Sequence, residues 1–244
     1  MFLPTAVVAA LLGAFLLVGS WEWARFANWQ VRARCAYAAV FAALMFIAFF
    51  WAPRIVDAML ALAFAGWLVA AYGLATWPRP IAALAIPALG FAALFPGWLL
   101  LIYIHGAGPL GPALAFAGLA LVAAADIGAF AVGRMIGRTK LAPRISPGKT
   151  WEGVAGGIGL AVAVAWFGSY VLDLQPLAFV TIAIVTVVAS VIGDLTVSML
   201  KRNVGAKDSG SLLPGHGGVM DRIDGLAAAV PFFALGLKLG GLIE

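Results

Sequence analysis

The sequence has little charge. Only 10% of its 244 residues are Asp, Glu, Lys or Arg, whereas 64% are hydrophobic. A soluble domain carries about 25% charged and about 45–50% apolar residues, because its surface must be hydrated. A soluble globular fold is therefore excluded. Disorder is excluded as well, since a disordered chain has the opposite composition. The composition indicates a protein that crosses a membrane several times.

Cysteine and histidine are almost absent. Cys35 is the only cysteine, and His105 and His216 are the only histidines. An intrachain disulfide is therefore excluded, and a zinc site built from thiolates or imidazoles is not expected. A metal bound by this protein must be held by carboxylates, which favours Mg²⁺, Mn²⁺ or Ca²⁺.

Long apolar runs divide the chain into predicted membrane spans, because crossing about 30 Å of hydrocarbon takes about 20 apolar residues. Eight runs are long enough, at residues 3–20, 35–51, 55–77, 80–104, 109–135, 153–172, 177–200 and 225–242. The fourth run contains Pro87, Gly90, Pro96 and Gly97, so it forms either one kinked span or two passes. The prediction is an all-α polytopic membrane protein with eight transmembrane helices, or nine if the fourth run divides.

The basic residues indicate how the chain is oriented. No Lys or Arg precedes the first run, whereas Arg25, Arg32 and Arg34 follow it. Because Lys and Arg concentrate in cytoplasmic connections, the N-terminus is predicted to lie outside. The cytoplasmic connections are then 21–34, 77–79, 134–152 and 201–224, which hold 13 of the 15 basic residues. The net charge of +5 thus reports membrane orientation, and no nucleic-acid partner is expected.

Four aspartates stand out against this apolar background. Asp126 and Asp194 lie within or beside apolar runs, where a carboxylate costs at least about 2.5–3.5 kcal/mol unless it is compensated. Either a bound cation or an ion pair with a neighbouring Lys or Arg would compensate it. Asp221 and Asp224 are three residues apart, so on a helix they lie on one face about 5–6 Å apart. That spacing fits a divalent-cation site or the acidic first turn of a helix.

Basic and glycine residues surround these aspartates. Five basic side chains offer charge to phosphate oxygens: Lys149, Lys201, Arg202, Lys207 and Arg222. The segment 215–218, with the sequence GHGG, allows close approach of the backbone to an anion. For the basic residues between 134 and 144, contact with anionic lipid headgroups is the alternative. A polar site that faces the cytoplasm and binds a phosphorylated ligand is therefore predicted.

Four short motifs carry a resemblance to a known family. They are SMLKR at 198–202, KDSG at 207–210, LPGHGG at 213–218 and DRID at 221–224. In this order they resemble the signature of the phosphatidate cytidylyltransferases, also called CDP-diacylglycerol synthases. Segments 126–130, 133–134 and 141–153 resemble the same family. The resemblance covers about the C-terminal half, whereas residues 1–110 match only in being membrane spans.

The resemblance implies a reaction and its partners. CTP and phosphatidate in the bilayer would give CDP-diacylglycerol and pyrophosphate in phospholipid biosynthesis, with Mg²⁺ and with or without a second cation. Residues 1–110 would be N-terminal transmembrane helices, and residues 111–244 the catalytic transmembrane region of one continuous membrane domain. The expected location is the cytoplasmic (inner) membrane with the active site facing the cytoplasm, and the resemblance also implies a homodimer.

The resemblance also implies roles for individual residues. The expected metal ligands are Asp194, Asp221 and Asp224, with Asp194 and Asp221 as the first pair, and Asp126 either as a further ligand or as the group that orients a basic residue. The expected catalytic residues are Lys201, Arg202, Lys207, Asp208, His216 and Arg222. The expected substrate-binding residues are Ser146, Lys149, Thr150, Ser198, Ser209, Gly217 and Gly218.

Two other functions are alternatives. A CTP-dependent kinase of a polyprenol or another lipid alcohol would transfer the γ-phosphoryl group and release CDP. A transporter of an anionic substrate would use the intramembrane carboxylates as an ion path. The absence of an internal repeat and the concentration of charge at one membrane face argue against the transporter.

Overall fold

The structure is a computed structural model that describes residues 3–79, 81–82, 84–210, 212 and 217–243. Helices dominate these residues. They are α1 Thr5–Trp23, a short 3-10 helix Ala24–Ala27, α2 Val31–Thr76, α3 Ala85–Gly106, α4 Gly111–Ile136, α5 Trp151–Val171, α6 Pro176–Asn203 and α7 Met220–Leu239. Most residues of α3 are buried, so it is the central helix against which the others pack.

Six helices are long and apolar enough to cross a membrane, namely α1 with the 3-10 helix, and α2 to α6. The chain is therefore an integral membrane protein, and the predicted all-α class is confirmed. The structure has six candidate spans in its described part, where the apolar runs predict eight or nine. One reason is that the runs 35–51 and 55–77 lie in one helix, α2. The other is that α7 has Asp221, Arg222 and Asp224 within its first five residues, so it is more highly charged than the apolar stretches of the six candidate spans.

Helix α2 reverses direction near its midpoint, where Pro53 lies. In its first half, the Phe41 ring lies 5.4 Å from the Phe91 ring of α3. In its second half, a Cβ atom added to Gly66 would lie 2.8 Å from the Cβ of Ala92. Phe41 and Gly66 are 25 positions apart, about 37 Å in a straight helix, yet they contact consecutive residues of α3. The two halves of α2 therefore pack side by side, and an interior proline is a common cause of such a break.

Helices α4 and α5 pack closely through glycines. A Cβ atom added to Gly157 would lie 2.6 Å from the carbonyl oxygen of Ala125, and one added to Gly156 would lie 2.9 Å from that of Gly128. Small residues allow this approach between membrane helices. The packing brings the second half of α4 next to the start of α5, where several of the predicted site residues lie.

A small antiparallel hairpin connects α4 to α5. Its strands are β1 Lys140–Ala142 and β2 Ser146–Thr150, and Lys140 is opposite Thr150. The carboxylate of Glu152 accepts hydrogen bonds from the Thr139 N–H at 3.0 and 3.1 Å, which fixes the base of the hairpin. Nε of Arg202 donates to the carbonyl oxygen of Ile145 at 3.1 Å, which ties the turn to α6. The sequence predicts only a cytoplasmic connection here, and the hairpin corrects the strictly helical expectation.

Candidate active site

A cavity of about 460 Å³ lies between α4, β2, α5 and α6. Its polar lining includes Asp126, Arg134, Lys149, Thr150 and Asp194. Alanine, valine and phenylalanine side chains and the backbone of four glycines form much of the remaining wall. The cavity thus combines charged groups of both signs with apolar walls, which suits a ligand with an anionic head and a hydrocarbon tail.

Lys149 and Asp194 form an ion pair inside this cavity. The Lys149 ammonium contacts Oδ2 of Asp194, and Oγ of Ser198 donates to Oδ1 at 3.3 Å. The side chains of the two charged residues are 27% and 33% exposed, so the pair can be reached from the cavity. The ion pair is one of the two compensations expected for a carboxylate in an apolar run. It also attaches the hairpin to α6.

Two further aspartates gather around Asp194. Asp126 lines the same cavity, and the negative charge of Asp194 acts on the carboxylates of both Asp126 and Asp224. Gly193 allows this approach, because a Cβ atom there would lie 2.5 Å from the carbonyl oxygen of Asp224. Even so, the part of the chain that the structure describes contains no group of three His, Cys, Asp or Glu side chains arranged to hold a metal.

Asp221 has four polar contacts in the first turn of α7. Its Oδ1 accepts a hydrogen bond from Nζ of Lys201 at 2.7 Å. Its Oδ2 accepts from the N–H groups of Ser209 and Gly218 at 3.0 Å, and Oγ of Ser209 lies at the same distance. The side chains of Lys201 and Asp221 are only 14% and 11% exposed. Asp221 therefore joins the end of α6, the following loop and the start of α7.

Glu22 is the site residue that sequence reasoning missed. It lies at the end of α1 and is fully buried, and its Oε2 lies 3.0 Å from Oγ of Ser209, whose single O–H is shared between Glu22 and Asp221. No motif marks it, since it falls in the part of the chain that resembles the family only as membrane spans. The signal that could have found it is the one that singled out Asp126 and Asp194, a lone carboxylate beside an apolar run.

Two of the residues predicted to bind phosphate have structural contacts, and a third is half-buried. Oγ1 of Thr150 accepts from the N–H of Gly153 at 3.1 Å and so caps α5, while the residue also lines the cavity. Arg202 holds the hairpin through Ile145, as described above. Ser146 is half-buried at the start of β2. The substrate-binding roles predicted for Ser146 and Thr150 and the catalytic role predicted for Arg202 stay predictions.

The loop between α6 and α7 and the first turn of α7 hold the remaining predicted residues. Lys207, Asp208 and Arg222 are exposed, and Lys207 has no ion-pair partner within the described residues. Gly217 has a φ of 81°, which favours glycine, and a Cβ atom there would lie 2.8 Å from Oδ2 of Asp221. His216 lies outside the described residues, so its predicted catalytic role stays a prediction.

Comparison with known sequences decides the family. The sequence profile of the cytidylyltransferase family matches residues 1–239. The chain belongs to the cytidylyltransferase family. A phosphatidate cytidylyltransferase of Pseudomonas aeruginosa is 42% identical over 247 residues, which cover 98% of this chain and 90% of the relative. Family membership therefore extends through the N-terminal helices, beyond the half of the chain that carries the motifs.

Other cytidylyltransferase relatives match shorter regions more strongly. The phosphatidate cytidylyltransferase of Haemophilus influenzae is 52% identical over 120 residues, 47% of this chain and 42% of the relative. That of Bacillus subtilis is 44% identical over 117 residues, 47% of this chain and 43% of the relative. These matches confirm the resemblance based on the motifs.

Proposed function

We propose that the chain transfers the cytidylyl group of CTP to phosphatidate and produces CDP-diacylglycerol and pyrophosphate. The observation that carries the proposal is the cavity in which Asp126, Lys149 and Asp194 lie beside apolar walls. Phosphatidate has a charged phosphate on a diacyl tail, and such a cavity can hold both parts. The family to which the chain belongs supports the same reaction.

In this reaction an oxygen of the lipid phosphate forms a bond to the α-phosphorus of CTP. The bond between that phosphorus and the oxygen that bridges it to the β-phosphorus breaks, and pyrophosphate leaves with the electron pair. The lipid phosphate is already ionised at pH 7, so no general base is required. Catalysis then depends on positioning and on neutralising charge. We infer that Lys149 and Arg134, which line the cavity, orient the lipid phosphate. We infer that Lys201, Lys207 and Arg222 hold the triphosphate.

The carboxylates fit Mg²⁺ chemically. Mg²⁺ prefers oxygen ligands and is commonly held by one or two carboxylates together with substrate phosphates. We assign Asp194, Asp224 and Asp221 as the residues that would hold it, with Asp126 as a further ligand or as the group that orients Lys149. When bound, Mg²⁺ supplies neutralisation of the triphosphate and polarisation of its α-phosphate. The second cation and the homodimer stay predictions.

The membrane arrangement belongs to the same proposal. Because the two halves of α2 pack side by side along α3, we infer that α2 crosses the membrane twice. Counting α2 twice and adding α7 to the other candidate helices gives eight crossings. The site then faces the cytoplasm, in agreement with the connections that hold 13 of the 15 basic residues.

Labelled CTP tests the reaction directly. Purified protein in mixed micelles with phosphatidate receives CTP labelled at the α- or the γ-phosphate, with Mg²⁺ or with a chelator. We expect the α label to enter the lipid and pyrophosphate to appear, in both cases only with Mg²⁺. Entry of the γ label, with a lipid alcohol as acceptor, would identify a kinase instead. No transfer of either label would favour the transporter.

A further inference from the structure

Glu22 is a buried carboxylate that the proposed reaction does not use. It lies in the last turn of α1 with no exposed surface, and most of its neighbours along that helix are apolar. A carboxylate removed from water destabilises the fold unless donors compensate it. Its contacts therefore indicate what it does.

The first contact is with the start of α7. Oε2 of Glu22 accepts from the N–H of Met220 at 2.8 Å. The N–H groups in the first turn of a helix have no partners within that helix. Val219, at the N-cap position, provides no side-chain hydrogen bond either. Glu22 thus caps α7 from a helix nearly two hundred residues earlier in the chain.

The second contact is with the serine that supports Asp221. Oγ of Ser209 lies 3.0 Å from Oε2 of Glu22 and 3.0 Å from Oδ2 of Asp221. The carbonyl oxygen of Ser209 accepts from Nη1 of Arg25 at 3.4 Å. Residues 22 and 25 therefore hold Ser209 from one side, while Ser209 holds Asp221 on the other.

Two glycines of the family motifs leave room for the Glu22 carboxylate. A Cβ atom added to Gly210 would collide with Oε1 of Glu22, and one added to Gly218 would lie 2.6 Å from the same oxygen. Oε1 itself has no hydrogen-bond partner among the described residues.

We propose that Glu22 is a positioning residue for the reaction proposed above, on which this inference rests. It holds Ser209 and the first turn of α7, so that Oδ2 of Asp221 keeps its contacts with Ser209 and Gly218 and Oδ1 stays next to Lys201. Glu22 touches no substrate in this arrangement. The motif residues near the C-terminal end thus depend on a carboxylate from the first helix.

Glu22→Gln tests the proposal, with Ser20→Ala as the matched control. Ser20 is equally buried in the same helix, and its hydroxyl bonds to Leu17 within α1. For Glu22→Gln we expect kcat to fall about 10- to 100-fold, because a small misplacement of a catalytic group has an effect of this size. We expect KM for CTP to stay within about twofold of wild type. We also expect faster amide hydrogen exchange in peptides covering 205–224. Ser20→Ala should match wild type in all three measurements.

A double variant separates positioning from general weakening. Glu22→Gln combined with Ser209→Ala should lose no more than the more severe single variant, because both changes break one chain of contacts. Wild-type kcat and wild-type hydrogen exchange in Glu22→Gln would overturn the proposal. Losses of kcat that multiply in the double variant would overturn it as well.

If Glu22→Gln does not fold, Ser209→Ala alone should show the same loss of kcat and the same faster hydrogen exchange. Wild-type kcat and exchange in Ser209→Ala would then overturn the proposal. If wild-type protein makes no CDP-diacylglycerol, the proposed reaction fails, and hydrogen exchange still decides whether Glu22 holds the loop.

Discussion

Two lysine–aspartate ion pairs connect the elements around the site. They are Lys149 with Asp194 and Lys201 with Asp221. Both pairs are partly shielded from water, and the second is the more buried. Removing one member of such a pair leaves an uncompensated charge and costs more than the loss of an exposed ion pair. Tests of single residues therefore need substitutions that preserve the shape of the side chain. Folding must also be measured separately from activity.

Asp221→Asn should reduce cytidylyl transfer at least about 100-fold, because it removes a proposed metal ligand and places an amide against two backbone N–H donors. Incorporation of the α label into lipid measures the activity, and thermal unfolding in detergent measures folding. Asp57→Asn is the control, since that carboxylate is 79% exposed and pairs with Lys238. Near-normal activity in Asp221→Asn would remove Asp221 from the ligand set.

Lys207→Ala should raise KM for CTP about tenfold, the effect of losing one charge-assisted hydrogen bond to a phosphate. Lys207 is exposed, so the free energy of unfolding should change by less than about 0.5 kcal/mol. Steady-state kinetics over a range of CTP concentrations checks the first expectation. Lys140→Ala, at an exposed lysine of β1, should leave KM unchanged. Equal behaviour of the two variants would contradict a phosphate role for Lys207.

Among the helices, the contact between α4 and α5 builds one side of the cavity. Gly157→Ala should lower the free energy of unfolding by about 1–3 kcal/mol, because its Cβ would press on the Ala125 carbonyl oxygen. Gly159→Ala is the control on the same helix. A Cβ there meets nothing within 4 Å, so stability should stay the same or rise by up to about 1 kcal/mol. Thermal unfolding followed by tryptophan fluorescence compares them, and equal midpoints would refute the close packing.

The sequence predicted some elements well for a physical reason. The length of an apolar run reflects the thickness of the hydrocarbon layer, so the runs coincide with most of the helices. The apolar runs 35–51 and 55–77 meet close to Pro53, where α2 changes direction. Both runs nevertheless belong to one helix, Val31–Thr76. The strands β1 and β2 have three and five residues, too few for a periodic pattern to appear.

The candidate site was predicted only in part. The sequence singled out Lys149, Asp194 and Asp221, because charged residues in an apolar chain are conspicuous. Which lysine pairs with which aspartate depends on how the hairpin and α6 pack, and residue spacing along the chain carries no information about that. Glu22 was missed for the same reason, since its partners are all in the last quarter of the chain.

At the scale of the whole molecule, the reversal of α2 fixes which connections share a membrane face. Cys35 is exposed and is the only cysteine, so a membrane-impermeant maleimide applied to whole cells reports its side. We expect no labelling of Cys35. In a Cys35→Ser background, Arg54→Cys should be labelled and Arg79→Cys should not. If Arg54→Cys is protected like Cys35, α2 does not cross twice.

The hydrogen bond between Glu22 and Met220 also has a consequence for biosynthesis, because 198 positions separate the two residues. Contacts over such distances form late in folding, after the entropy of closing a long loop has been lost. At a translation rate of about 5–20 residues per second, Met220 leaves the ribosome roughly 10–40 s after Glu22. Until then the carboxylate of Glu22 lacks the donors that will hold it. The reaction centre is therefore assembled as one of the last steps of synthesis, and a chain that stops before α7 has α1 inserted with an uncompensated charge.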